Sequence, residues 1–231
     1  MRVDVDFEEL VKRWAKGVEE WKVRRSLEVI QKAFDRFDRI GVAWSTGKDS
    51  TVNLVLVRSF DPDIPVLFGD TTQHFPETYA HRDRIAREWK LNLINVVPSV
   101  SYEEVKGDRE RCCHALKTVP LLRKIEELGL EALIVGIRWS EHPARANEVY
   151  FSERQNPHHY RVHPLLHWTE EDIWSFTRAH KLPYNPLYDK GFRSIGCAPC
   201  TKPAPPGAPE RAGRAQDKER IMERLRALGY Y

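Results

Sequence analysis

Two groups of residues in this sequence have types and spacings suited to chemistry. The first is Val42-Ala43-Trp44-Ser45-Thr46-Gly47-Lys48-Asp49-Ser50-Thr51. It closes an apolar, β-prone run that begins at Ile40 and leads into Val52-Asn53-Leu54-Val55-Leu56-Val57, long enough to continue as a buried helix. In a strand–turn–helix unit the first helical N–H groups are unpaired and the helix dipole adds partial positive charge at the turn. Gly47 is expected to supply backbone angles closed to other residues, and Ser45, Lys48, Ser50 and Thr51 add donors. Ser45, Thr46, Gly47, Lys48, Asp49 and Ser50 therefore form a candidate seat for a phosphate or pyrophosphate. The run is not the P-loop G-x-x-x-x-G-K-[ST], because the first glycine is missing and Asp follows the Lys. The plain alternative is an ordinary Ser/Gly turn capped by Asp49.

The second group is the cysteine set, Cys112-Cys113 and, far along the chain, Cys197-Ala198-Pro199-Cys200. A C-x-x-C turn brings two thiolates together, and a vicinal pair can be brought round at a helix start. Four converging thiolates suit a 4Fe-4S cluster or Zn²⁺, and the vicinal pair disfavours zinc, whose sites use two C-x₂₋₄-C knuckles. No cysteine is left over, which weighs against four unrelated buried thiols.

Elements must hold these groups in place. Apolar residues at helical spacing (Phe7, Leu10, Val11, Trp14; then Leu27, Ile30, Ala33, Phe34) predict two amphipathic helices before the first strand, with their aromatics in the core. Further strands are expected at 65–70, 91–97 and 132–137, with helices at 77–89 and 113–128 between them. Strands alternating with helices predict an α/β fold with a doubly wound, mostly parallel sheet, whose ligand lies at the carboxyl ends of the strands. The polar residues after those ends should meet in one crevice. Asp70 there suits a ribose hydroxyl, a Mg²⁺ or a helix N-cap. Gly136 permits close backbone approach, and Arg138 and Arg145 suit phosphate or sulfate oxygens. His158, His159 and His163 lack metal-ligand spacing to a carboxylate and are expected to be surface or core groups. The expected organisation is helices over 1–39, a nucleotide-binding α/β domain with the cysteine site over 40–201, and a linker and helical tail over 202–231.

With 231 residues and 41% hydrophobic content, the chain is long enough to bury one sizeable α/β core. A formal charge of +3, against 37 basic and 34 acidic residues, gives no argument for nucleic acid. No apolar run approaches the roughly 20 residues that span a bilayer, and Met-Arg-Val-Asp-Val-Asp-Phe-Glu-Glu has no signal-peptide apolar region, so a cytoplasmic location away from membranes is expected. Four cysteines in a cytosolic chain fit metal ligands or redox thiols better than disulfides.

The Ser45–Thr51 loop resembles the S-x-G-K-D-S pyrophosphate loop of the adenine nucleotide α-hydrolase group, which implies that fold and an adenine nucleotide. Cys112-Cys113-His114-Ala115-Leu116-Lys117-Thr118-Val119-Pro120-Leu121 and Tyr184-Asn185-Pro186-Leu187-Tyr188-Asp189-Lys190-Gly191-Phe192-Arg193-Ser194-Ile195-Gly196-Cys197-Ala198-Pro199-Cys200-Thr201 resemble the iron–sulfur signature of adenosine 5′-phosphosulfate (APS) reductases. Phe75-Pro76-Glu77-Thr78-Tyr79 and Pro164-Leu165-Leu166-His167-Trp168-Thr169-Glu170-Glu171-Asp172-Ile173-Trp174 resemble the wider phosphoadenosine phosphosulfate (PAPS) reductase family. The resemblance implies a 4Fe-4S cluster on Cys112, Cys113, Cys197 and Cys200, with Lys117 and Lys48 as catalytic cations. It also implies sulfate assimilation, with a thiol reductant such as thioredoxin. An assembly of identical copies stays open.

Two features depart from those reductases. They carry a nucleophilic cysteine in a C-terminal Glu-Cys-Gly-type motif, and this sequence has no cysteine after Cys200. Its tail, Glu210-Arg211-Ala212-Gly213-Arg214-Ala215-Gln216-Asp217 onward to Gly229-Tyr230-Tyr231, resembles the end of the sulfate adenylyltransferase small subunit, whose loop also keeps the residues found here as Lys48-Asp49. The arginines of that tail could fold over a nucleotide, or the tail could be a solvated amphipathic helix. Three functions therefore compete. One is release of sulfite from APS or PAPS, the second adenylyl transfer from ATP with Mg²⁺, and the third tRNA thiolation by a cluster-bearing ATP pyrophosphatase. The last would want an RNA-binding stripe, which the sequence does not show.

Overall fold

The structure is a computed structural model and describes residues 5–230. Helices α1 (Phe7–Trp14) and α2 (Glu20–Arg36) come first, as their apolar spacing predicts. The Asp6 carboxylate caps α1 by accepting from the Glu8 and Glu9 amides at 3.0 and 3.1 Å. Then follow β1 (Ile40–Ala43), α3 (Lys48–Arg58), β2 (Val66–Gly69), α4 (Pro76–Glu88) and β3 (Leu93–Val96). A short α5 (Tyr102–Val105) leads to α6 (Arg109–Cys113), a π-helical turn over His114–Thr118 and α7 (Val119–Glu127). After β4 (Ala132–Ile134) come a hairpin of β5 (Phe151–Gln155) and β6 (His158–Val162), then α8 (Glu170–Ala179) and the tail helices α9 (Gln216–Arg220) and α10 (Met222–Ala227).

The six strands form one sheet in the order β3-β2-β1-β4-β6-β5, with every pair parallel except β5–β6. The expected doubly wound α/β sheet is present. The chain leaves β1 toward β2 and β3, then returns to place β4 on β1's other side, so the order reverses between β1 and β4. Ligands of open α/β sheets lie at the carboxyl ends of the strands at such a point. Both the turn after β1 and Gly136, two residues past β4, lie there.

The core explains why these strands are buried. Val42, Ile134 and Val162, from three neighbouring strands, pack with Val52 and Leu56 of α3 and Leu27 and Ile30 of α2, all essentially inaccessible. Each such side chain contributes about 1.5–3 kcal/mol when fully buried. α1 and α2 share this core, and Trp14 stacks on Phe176 of α8 with ring centroids 5.7 Å apart. The tail has a separate apolar seat, where Met222 and Leu225 pack with Cys113, Ile137 and Leu166.

The sheet extends further than the sequence predicts. The β5–β6 hairpin was not foreseen, because Phe151-Ser152-Glu153-Arg154-Gln155 is polar; as an antiparallel edge strand it pairs only with β6. Of the flanking histidines, His158 is exposed while His159 and His163 are fully buried. β4 ends at Ile134, three residues earlier than expected, and the helical run around the vicinal cysteines starts at Arg109, four residues earlier. Among the described residues no helix is long and apolar enough to cross a membrane.

Candidate active site

The turn after β1 is held from both sides. The Trp44 indole N–H donates to Thr51 Oγ1 at 3.0 Å, tying the strand end to the first turn of α3. Ser50 Oγ donates to the Gly47 carbonyl at 3.0 Å and accepts from the Ser45 amide at 3.2 Å. Gly47 does not take the unusual backbone angles expected of it. Its φ and ψ are −72° and 157°, open to any residue, and Thr46 occupies the left-handed region at φ 63°. A β-branched residue there carries strain of about 1–3 kcal/mol, sustained because the Thr46 side chain is fully buried. A Cβ at 47 would make only ordinary contacts, 3.4 Å from Ser45 Oγ and 3.6 Å from the Tyr188 hydroxyl. At Gly136 the close approach is real, because a Cβ would lie 2.8 Å from Asn53 Cβ and 3.0 Å from the Asp49 carbonyl oxygen. The loop after β4 thus rests directly on α3.

A cavity of about 250 Å³ opens at this junction. Ser45, Gly47, Lys48, Asp49 and Ser50 line one end, Gly136 and Arg145 a wall, and Lys117, Arg214 and Tyr230 the other end. Glu210 and Arg211 of the tail, and Ser194, Ile195 and Gly196, also line it. The tail therefore contributes to the site itself.

The loop end is densely ion-paired. Lys48 Nζ lies 2.5 Å from Glu210 and 3.3 Å from Asp49, and Arg138 reaches both Glu210 oxygens at 2.7 Å while also donating to Asp49. Burial opposes charge on Lys48, but Asp49, Tyr188 and Glu210 outweigh it and hold the ammonium protonated well above its ordinary range. Burial likewise opposes charge on Asp49, yet Lys48 and Arg138 keep its carboxyl below the usual range. The Lys48 amide donates to the Tyr188 hydroxyl at 2.9 Å, and burial pushes that phenol up to about 12. Arg145 donates to Glu141, which also takes Arg211 at 2.8 Å.

The other end differs. A smaller cavity of about 10 Å³ is lined by all four cysteines with Gln73, Leu116, Lys117, Arg214 and Lys218, and none of the thiols is in a disulfide. Cys112 and Cys113 lie at the close of α6 just before the π-helical turn, and Ala198–Cys200 is a 3₁₀ turn. Cys197 Sγ is 3.3 Å from Thr71 Oγ1, and Arg109 donates to Cys200 Sγ at 2.7 Å. Although burial resists ionisation of Cys197, Lys117, the Thr71 hydroxyl, Lys218 and Arg214 bring its thiol down to about 7. Burial and the other three cysteines push Cys112 up to about 11. Lys117 and Lys218 both hydrogen-bond the Tyr230 hydroxyl, at 3.3 and 2.5 Å, and Arg214 reaches Ser194 Oγ at 3.3 Å. Their partners are hydroxyls, not carboxylates. Among the described residues no group of three or more His, Cys, Asp or Glu closes on a single metal ion.

Three candidate nucleotide-binding residues lie outside the larger cavity's lining. Thr46 turns inward, and Arg138 stands behind the loop on Asp49 and Glu210. Asp70 accepts from the Thr72 amide at 2.9 Å, the Tyr79 hydroxyl at 2.8 Å and Arg82, and Phe75, not Asp70, is the N-cap of α4. Sequence reasoning missed Glu210, Glu141 and Tyr230, whose positions depend on how the tail folds back. The acidic residue opening Glu210-Arg211-Ala212-Gly213-Arg214 was the available signal.

The comparisons with known proteins agree with this geometry. A family model described as the phosphoadenosine phosphosulfate reductase domain matches residues 39–203. The adenosine 5′-phosphosulfate reductase of Halalkalibacterium halodurans is 38% identical over 200 residues, covering 82% of this chain and 86% of that protein. In fold, the chain is similar to the crystal structure of PAPS reductase from Candida auris in a phosphate complex (TM-score 0.68, 21% identity, 87% of this chain and 100% of that one). It is also similar to the FMN adenylyltransferase of Candida glabrata (TM-score 0.69, 20% identity, 86% of this chain and 71% of that one). With a crevice at the β1–β4 switch point and a family match over most of its length, the chain belongs to the phosphoadenosine phosphosulfate reductase family.

Proposed function

We propose that the chain binds APS in the larger cavity and releases sulfite from it beside a 4Fe-4S cluster held by Cys112, Cys113, Cys197 and Cys200. The observation that carries this reading is that Lys117 and Arg214 line both cavities, so an anionic group between them lies beside the thiols. The name of the relative from Halalkalibacterium halodurans, an APS reductase, supports the same substrate.

The donor set suits such a cluster. Four unbridged thiols surround one cavity, and Arg109, Lys117, Arg214 and Lys218 offer four positive charges against four thiolates. A cluster there would supply a polarisable charge beside the sulfur and tie the two cysteine segments together.

This chain's residues would do the rest. Ser45 and Ser50 take the 5′-phosphate at the head of α3, and Lys117 and Arg214 hold the sulfuryl oxygens. Charge developing on the departing phosphate and on the sulfuryl group is then met by fixed donors, which is electrostatic stabilisation rather than general-base catalysis. A thiolate from an external reductant of the thioredoxin type attacks sulfur, the S–O bond to phosphate breaks and AMP leaves. A second thiol then forms the disulfide and frees sulfite, so two thiols supply the two electrons.

Adenylyl transfer from ATP with Mg²⁺ is the second reading, favoured by Lys48-Asp49 at the head of α3. Anaerobic turnover separates the two. The first expects about four irons per chain and equal sulfite and AMP from APS with a dithiol. A colourless protein that releases pyrophosphate from ATP and no sulfite from APS would refute it.

A further inference from the structure

The tail reaches the cysteines as well as the larger cavity, and one arginine makes the connection. Arg109 stands in the first turn of α6, the helix that ends on Cys112 and Cys113. Its guanidinium donates to Cys200 Sγ at 2.7 Å through Nη1 and to the Asp217 carboxylate of α9 at 2.9 Å through Nε. The other cations beside the thiols are engaged elsewhere: Lys117 and Lys218 hydrogen-bond the Tyr230 hydroxyl, and Arg214 the Ser194 hydroxyl. Among the described residues Arg109 is thus the cation that hydrogen-bonds a cysteine sulfur. The start of α9 is fixed on the same cysteine turn by its backbone, since the Ala215 amide donates to the Cys200 carbonyl at 3.0 Å.

We infer that Asp217 is a positioning residue: it holds the Arg109 guanidinium on Cys200 and so sets the charge felt at that thiolate. The inference rests on the four-cysteine cluster reading and goes beyond it. A planar guanidinium can serve a carboxylate with one N–H and a sulfur with another, and the carboxylate selects the rotamer in which both are met. The Arg109 side chain is 25% exposed and that of Asp217 58%, so the pair lies within reach of water. Without Asp217 the guanidinium turns outward to be hydrated, and Cys200 loses its charged donor. A charged N–H on a cluster thiolate withdraws electron density from the Fe–S bond and favours the reduced form, because hydrogen bonds to the sulfurs are among the determinants of cluster potential. Charge alone predicts the opposite sign. As a bare negative charge Asp217 disfavours the reduced cluster, and its removal would raise the potential. As the anchor of Arg109, its removal lowers the potential, because a donor touching sulfur outweighs an exposed carboxylate that water and salt screen.

The test is anaerobic titration of the iron-loaded full chain with dithionite, followed by absorbance and by the EPR signal of the reduced cluster, with iron counted on each sample. Resonance Raman spectra of the oxidised cluster read the Fe–Sγ stretches independently of reduction. Arg109→Met should shift the equilibrium about tenfold toward the oxidised form, about 59 mV lower for one electron, and raise the Fe–Sγ stretch of one ligand. Asp217→Ala should move both readouts in the same direction, the equilibrium by about threefold or more. Arg111→Gln removes one charge from an exposed side chain of the same helix, and should change the equilibrium by less than about twofold. A higher potential in Asp217→Ala would overturn the inference. So would potentials and stretches unchanged in Arg109→Met and Asp217→Ala with all iron retained, and the cluster reading would then still stand. A full chain that takes up no iron refutes the cluster reading, and the inference with it.

Discussion

Replacing Lys117 tests the cysteine end of the cavity directly. Lys117→Met keeps the length and apolar volume of a partly buried side chain that lines both cavities, and removes only the ammonium. That ammonium is charged at any working pH: burial works against it, but Cys197, Tyr230 and Cys113 hold its pKa well above the ordinary value. A charge-assisted contact contributes about 1.5–3 kcal/mol, so APS binding should weaken roughly 10- to 150-fold. AMP lacks the sulfuryl group and should change by less than about threefold, since on the proposed reading its phosphate would lie against Ser45 and Ser50 instead. Lys117→Arg keeps the charge and should recover most of the difference. Anaerobic calorimetry with both nucleotides, with iron measured on each sample to separate binding from cluster loss, gives the comparison. Equal loss of APS and AMP, or no loss of either, would show that Lys117 does not meet the sulfuryl group.

Three further outcomes are expected. Cys197→Ser should lose most of the iron of anaerobically purified protein, measured against about four per chain in the wild type, because it removes one of four thiolates; full retention would remove Cys197 from the ligand set. Gly136→Ala should cost about 1–3 kcal/mol in urea unfolding, because its Cβ would press on Asn53 and the Asp49 carbonyl. His159 is held neutral, with Arg161 donating to its Nε2 at 2.9 Å and its Nδ1 bonded to the Pro157 carbonyl at 2.7 Å; burial and Arg161 bring its pKa down to about 4. Above its unfolded value near 6.5 it is neutral in both states and has no effect. As pH falls from there toward 4 only the unfolded chain takes the proton, so stability should drop by about 2 kcal/mol, allowing for solvent screening, and His159→Gln should flatten that part of the profile.

Local pattern made much of this molecule legible. The period of Leu27, Ile30, Ala33 and Phe34 gave α2, and the apolar run from Ile40 into Ser45–Thr51 gave β1, the turn and α3, because burial on one face leaves a repeat in the sequence. Alternating strands and helices then implied the parallel sheet and the crevice beyond its strand ends. The β5–β6 hairpin left no such trace, since an edge strand with polar residues is recognised only by the neighbour it pairs with.

By itself, then, the sequence determined which residue types stand at the head of α3 and that four thiols were available as a set, because both depend on spacing over a few residues. The tertiary structure decided how those groups are used. It spent Asp70 on Thr72, Tyr79 and Arg82, moved the strained backbone angle from Gly47 to Thr46, and brought Glu210 from the tail onto Lys48 and Arg138. Each is a contact between atoms whose separation depends on packing. Whether a charge is available to a ligand depends on what has been folded against it, and no local pattern records the partner.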